Sequence, residues 1–503
     1  MFNAEIVVFL AYFIILFFVG LIFYFNGGNK DQEDYFIGGR SMGPWVTAMS
    51  AQASDMSAWL LMGLPGSILA FGFGQIWIGV GLAIGTALNW IFCAKRLRKF
   101  SKAADDAITL PQYLTNRFAT EHKTLQVICA VIFLIAFTVY VASAFVAGTS
   151  VFTTLFPKMS NHTAMIIFAL IIIGYTFLGG FKAVCWTDFF QGILMLIALL
   201  AVPIIVVATQ DIDTSKLQEV YTYTDASGAV VTCAFGTGMF SASWQDIVSG
   251  LAWGLGYFGM PHIIIRFMSI EKPSMIKTSA TVAIIWVVLS LGAACLLAYF
   301  ARIIVGEELL TQGAQKTVFI AMARRFFPPA IAGLLLAAIM AASVSTADSQ
   351  LLVASSSFTS DIYKPLLRKD AGDREVLNVG RVAVIIIAVI AYLIASSNGS
   401  GAQAIMNLVE NAWGIFGAAF GPVVILSLFW RRFNYNGACA GVIAGAAVDI
   451  LWLVFLKGTG IYEILPGFAA GTLVAIAVTL ATHEPSAAVT DIFDKAMAED
   501  YND

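Results

Sequence analysis

Charge is what this chain has least of. Asp, Glu, Lys and Arg together make up 12% of its 503 residues, and the four histidines stand far apart at 122, 162, 262 and 483. A chain so poor in charge is not a water-soluble enzyme of ordinary composition. It contains no HExxH, no GxSxG and no Gly-rich phosphate loop ending in Lys. Zinc peptidase, serine hydrolase and P-loop chemistry are therefore not indicated. The six cysteines form no CxxC pair, and five of them lie in or beside apolar segments, so a structural disulfide is not expected. A net charge of −3 with no basic tract gives no footing for a nucleic-acid partner. No basic region precedes the first apolar run, which exceeds a signal-peptide core, so a cleavable signal is not expected either.

What is abundant is apolar sequence. Uncharged runs such as Ile6–Phe25, Thr124–Phe156, Thr278–Ala301 and Asn411–Trp430 are each long enough to cross a bilayer. Allowing single buried charges, the pattern predicts about thirteen transmembrane helices, centred near residues 16, 58, 85, 140, 172, 197, 256, 290, 344, 388, 420, 446 and 472. Twenty-one of the 28 Lys and Arg then fall in alternate loops. The positive-inside rule puts those loops in the cytoplasm, with the amino terminus outside and the carboxyl terminus cytoplasmic. A single transmembrane domain over 1–503 is expected. The stretch 211–241 on the outer side reads as turns, without a function.

One carboxylate stands out. Asp55 lies at the middle of the second apolar segment, Gly43–Gly74, with Gly63, Pro65 and Gly66 just beyond. An ionisable group at the bilayer centre costs about 2.5–3.5 kcal/mol on insertion scales and normally lines an ion or substrate path. Beside helix breakers it predicts an interrupted helix, whose unwound backbone survives only around a cavity. The seventh segment, Ile247–Met268, repeats the pattern with Gly250, Gly254, Gly256, Gly259 and Pro261. The two stand five helices apart, the separation of inverted five-helix repeats. That sets a first repeat at 43–208, a second at 243–430, two additional helices at 431–482 and a cytoplasmic tail at 483–503. Small-residue packing of helices is the plainer explanation for the glycines.

Hard cations take oxygen ligands. In the ninth segment Ala342, Ser345 and Thr346 stand at i, i+3 and i+4 on one helix face. Their carbonyl and hydroxyls can converge with carbonyls freed in the second segment, although such hydroxyls commonly just bond back along their own helix. Trp253, Tyr257 and Pro261 share a face in the seventh segment, and Tyr140 in the fourth adds a hydroxyl. Rings of this kind suit a compact apolar ring carrying an ammonium group. Asp188 stands near the inner end of the sixth segment, either guarding an exit or capping its helix.

At these residues the chain resembles the bacterial sodium/proline symporters of the sodium:solute symporter family. The resemblance runs over essentially the whole sequence. It is sharpest in Phe36–Pro44 (FIGGRSMGP), Ala53–Gly66 (ASDMSAWLLMGLPG), Trp253–His262 (WGLGYFGMPH) and Ser345–Val353 (STADSQLLV). The resemblance implies an all-α polytopic membrane protein with a LeuT-like core of two inverted five-helix repeats, in the bacterial cytoplasmic membrane. It implies a sodium site made by the carbonyls of Ala53, Met56 and Ala342 and the hydroxyls of Ser345 and Thr346, with Asp55 essential to coupling and Ser57 near both ligands. It implies a proline pocket shaped by Tyr140, Trp253, Tyr257 and Pro261, and gives Arg40 and Asp188 an influence from the cytoplasmic side. Met260 departs from the family member compared, where Gln is usual. The expected partners are thus sodium, L-proline and the lipid bilayer. Another amino acid, pantothenate or a sugar as solute, a proton as coupling ion, and a proline sensor are the alternatives.

Overall fold

The computed structural model describes residues 4–25, 32–224, 228–397, 402–498 and 501. Nine helices among them are long and apolar enough to cross a membrane, or ten if the bent pair Trp244–Phe258 and Pro261–Ser269 is one span. The other three expected spans coincide with shorter apolar helices, Ala4–Val19, Trp59–Phe71 and Asn161–Gly174. Length and composition therefore carry ten of the thirteen expected crossings. Two of the short ones have a visible cause. The second span is cut after Asp55, and the fifth runs into the sixth at Gly180, whose φ of 61° breaks the helical path.

Glycine decides how the third and seventh spans meet. Gly81 and Gly85 lie one helical turn apart in the helix Ile76–Leu88 and face Gly250 and Gly254. A Cβ on Gly85 would overlap the carbonyl oxygen of Gly254, and one on Gly81 would overlap that of Gly250. Backbones this close need small residues on both helices, as in other membrane helix pairs.

The molecule has two polar faces. On the basic face the helices Lys95–Ala103 and Leu110–Arg117 receive the carboxyl-terminal helix Ala487–Met497. Phe493 meets Phe100 edge to face at 5.3 Å, and Arg117 donates to the Val489 carbonyl at 3.0 Å. Arg431 clasps Asp494 through two bonds of 2.8 and 2.7 Å. That hydrogen bonding holds the exposed Asp494 carboxyl below the usual carboxylate range.

On the opposite face the stretch 211–241 is not merely turns. Tyr221–Thr224 pairs antiparallel with Val230–Cys233 in a small hairpin. Short β-branched and aromatic runs around Gly228 were the missed signal. Arg302, just past the uncharged run Thr278–Ala301, is buried about two turns before the end of the helix Ile276–Leu310. Its planar fork of donors gathers the carbonyls of Leu69 and Cys233, both at 3.1 Å, and that of Glu219. The six cysteines are all unbridged, Cys233 included.

The close glycine contact generates a test. Gly85→Ala has to push two backbones apart and should destabilise the protein by about 1–3 kcal/mol, the usual cost of overpacking. Gly174→Ala, with nothing among the described residues within 4 Å of the added carbon, should leave the melting temperature of the detergent-solubilised protein unchanged.

Candidate functional site

The second span is the centre of the site. Its first half, Pro44–Asp55, starts on a proline suited to a helix's first turn. Helical bonding lapses over 56–58 before the chain turns again from Trp59. Ser57 sits at φ 33°, a conformation a side chain normally avoids and one that clusters at functional sites. Its own hydroxyl repairs part of the gap by accepting the Trp59 amide at 3.1 Å.

The ninth span, Pro329–Ser356, runs past this break without interruption. Ser345 Oγ donates to the carbonyl of Ala53 at 2.8 Å and lies 3.2 Å from that of Ala342. Thr346, beside it, is fully buried, and its hydroxyl has no hydrogen-bond partner among the described residues. The Met56 carbonyl, at the break itself, accepts the Leu60 amide at 3.2 Å. Ala53, Ala342 and Ser345 are thus brought into direct contact from two spans, with an unsatisfied hydroxyl adjoining. Such a cluster of oxygens is chemically suited to a small hard cation.

The seventh span is also broken. Trp244–Ala252 tightens into a 3-10 stretch, Trp253–Phe258, and a new helix starts at Pro261 after a 42° bend. The expected single face holding Trp253, Tyr257 and Pro261 therefore does not exist. Regular 3.6-residue spacing fails across Met260, which is extended (ψ 107°), and of the three only Trp253 is among the residues lining the cavity between the broken spans. Tyr257 bridges the two broken spans, its hydroxyl donating to Asp55 Oδ2 at 2.5 Å in a buried contact. Asn89 donates to the Tyr257 carbonyl at 2.9 Å, and Trp413 to that of Trp253 at 2.8 Å.

Between the broken spans lies a cavity of about 10 Å³ lined by Asp55, Ser57, Trp59, Tyr140, Trp253 and Trp413 among others. The space holds about one water, so the rings around it have to separate before any organic solute enters. A vestibule of about 500 Å³ on the hairpin face reaches Trp253, with Gln75, Tyr223, Gln315 and Tyr462 along its walls.

Towards the basic face a buried cluster joins four spans. Asp188 and Arg266 form an ion pair at 3.2 Å with both side chains almost wholly buried. Ser50 donates to Asp188 at 2.7 Å, and Arg266 reaches Ser50, Ser349 and the His262 carbonyl at 3.1, 2.5 and 2.6 Å. One cluster thereby ties the second, sixth, seventh and ninth spans. The capping alternative for Asp188 fails, because it lies eight residues inside the helix that leaves Gly180. Arg40, nearer the surface, pairs with Asp106 at 2.7 Å and donates to the carbonyls of Met268 and Ala107 at 2.6 and 2.8 Å.

Four contributors escaped the sequence reading. Arg266 stands near the inner end of the seventh segment, where a lone cation carries no local sign of its partner. Trp59 stands inside the singled-out stretch Ala53–Gly66 without being picked from it, and Asn89 and Trp413 lie in segments with no local signal beyond a lone aromatic or amide.

A family model for the sodium:solute symporter family matches residues 35–445. The chain belongs to the sodium:solute symporter family. It is a multi-pass membrane transporter and not an enzyme. Among similar curated proteins, sodium/proline symporter 2 of Staphylococcus saprophyticus is 41% identical over 97% of this chain and 94% of its own. The high-affinity proline transporter PutP of Bacillus subtilis is also 41% identical, over 94% and 97%. The sodium/proline symporter of Escherichia coli is 40% identical over 93% and 92%. A sodium-coupled sialic acid symporter, solved substrate-bound and outward-open, shares the symporter's fold with a TM-score of 0.73 at 20% identity, covering 96% of this chain and 99% of that one. A nucleobase-cation-symport-1 transporter in a closed conformation follows at 0.55 and 14%, over 92% and 98%.

The buried pair in the symporter makes a definite prediction. Arg266→Met strands the Asp188 charge and should cost about 3–5 kcal/mol of stability. Adding Asp188→Leu should recover most of that loss in thermal melts, although the cluster no longer forms.

Proposed function

We propose that this symporter couples the inward movement of L-proline to that of sodium by alternating access. The observation that carries the reading is the meeting of the broken second span with the ninth, where the Ala53 carbonyl, Ser345 and an unpartnered Thr346 hydroxyl adjoin. Proteins named as sodium/proline symporters or proline transporters, about 40% identical over more than nine-tenths of the chain, support the same substrate.

In this reading the carbonyls of Ala53, Met56 and Ala342 and the hydroxyls of Ser345 and Thr346 hold the sodium. Ser57, Tyr140, Trp253, Tyr257 and Pro261 shape the proline pocket, Pro261 standing at the bend that turns the seventh span. Asp55 links the two. Its carboxylate adjoins the ion's carbonyl ligands in sequence and is bonded to Tyr257 beside the cavity, so sodium bound at the break favours a pocket ready for proline. The coupling is necessarily reciprocal. Spans two to six and seven to eleven act as the inverted repeats 43–208 and 243–430. The basic face is cytoplasmic and the amino terminus outside, so Arg40 and the Asp188–Arg266 cluster form the inner closure, with the vestibule open towards the exterior.

The energetics suffice. One sodium crossing about 100 mV contributes roughly 2.3 kcal/mol, and a tenfold gradient adds about 1.4 kcal/mol. For one proline per sodium, together they sustain roughly 500-fold accumulation of a zwitterion.

Uptake of labelled proline into proteoliposomes is expected only with an inward sodium gradient at fixed pH. Excess unlabelled pantothenate, glucose or other amino acids should compete poorly. Full-rate uptake without sodium would refute the reading. Asp55→Ala should abolish sodium-driven uptake while inserting normally. Thr346→Ala, losing one hydroxyl ligand, should raise the sodium concentration for half-maximal uptake about tenfold, with a smaller effect on proline at saturating sodium.

A further inference from the structure

We infer that Trp413, on the eleventh span, is a positioning and size-determining residue for the organic substrate, because it clamps the broken seventh span around the cavity. The inference rests on the cavity taking a solute the size of proline.

Three observations meet at this indole. Its N–H donates to the carbonyl of Trp253 at 2.8 Å, at the point where the seventh span tightens into its 3-10 stretch. Gly256, three residues on, is glycine for the sake of Trp413: an added Cβ would overlap the indole nitrogen, and its three nearest neighbours are all Trp413 atoms. The ring also packs edge to face on Tyr257, with centroids 5.2 Å apart, and roughly parallel to Trp253 at 6.2 Å. Trp413 is buried and itself lines the cavity.

A helix broken inside a membrane has to be held in shape by its neighbours, because no water is there to satisfy it. Trp413 does this with one directed bond and two ring contacts. Its hold on Tyr257 matters further, since the Tyr257 hydroxyl is bonded to Asp55. The same indole occupies volume next to the solute, so it sets how large a ring the cavity admits. Positioning and size selection therefore share one side chain, and both act on the proline side rather than on the Ala53–Ser345 contact.

The test uses full-length protein in proteoliposomes, with membrane abundance measured for every variant. Trp413→Phe keeps an aromatic ring and removes the N–H. It should raise the KM for proline about tenfold, leave maximal turnover within about twofold, and leave sodium binding in the absence of proline unchanged. Trp413→Leu should also lower the preference for proline over pipecolate, its six-membered-ring homologue, at least fivefold in competition. Gly256→Ala should raise the KM in the native background, yet add little in the Trp413→Leu background, where the clashing indole is gone. A native KM and native proline-to-pipecolate ratio in Trp413→Phe and Trp413→Leu would overturn the inference. So would a fall in turnover or abundance with KM unchanged, the mark of a merely structural role. A native protein that takes up no proline under a sodium gradient would overturn the underlying reading, and is told apart because no variant is then needed.

Discussion

A helix that stops bonding to itself inside a bilayer needs other donors and acceptors close by. Water is absent there, and each unsatisfied backbone group costs several kcal/mol. The lapse at 56–58 is that constraint in this molecule. The Ser57 hydroxyl takes one amide, Ser345 reaches one carbonyl, and Tyr257 brings a hydroxyl to the carboxylate at the end of the first half-helix. The ninth and seventh spans have to lie against the second for these partners to arrive. The break thus dictates packing as much as packing permits the break.

The seventh span meets the same demand differently. Its loosened backbone is held by side chains from the third and eleventh spans, Asn89 and Trp413, and glycines let the third span approach within backbone contact. Both interruptions therefore sit in shells of specific partners, while the continuous third and ninth spans serve as rails. That division gives alternating access a physical basis, since elements with few internal bonds rearrange more readily than intact helices.

The two faces are closed by unlike chemistry. A buried ion pair, Asp188 with Arg266, and a partly exposed one, Arg40 with Asp106, tie elements together on the basic face. Stacked rings, Trp59, Trp253 and Trp413 with Tyr462, lie between vestibule and cavity on the other. A buried ion pair is expensive to part and specific in register. Ring contacts are individually weak and slide at little cost. A structure with its ionic face locked and its aromatic face abutting a vestibule is consistent with that difference.

The sequence alone made the class of the molecule legible, because membrane solvation acts on local composition. Apolar runs, the bias of basic loops and breakers beside Asp55 all report on a few neighbouring residues at a time. The helix face of Ala342, Ser345 and Thr346 was legible for the same reason: an unbroken helix keeps its spacing. Tertiary structure alone decided that Pro261 leaves the face of Trp253, since a bend cancels periodicity. It alone gave Arg266 and Arg302 their buried cages of carbonyls and hydroxyls, and brought Trp413 to the Trp253 carbonyl across 160 residues. Those assignments depend on which distant groups arrive at a backbone gap, and no local pattern encodes that.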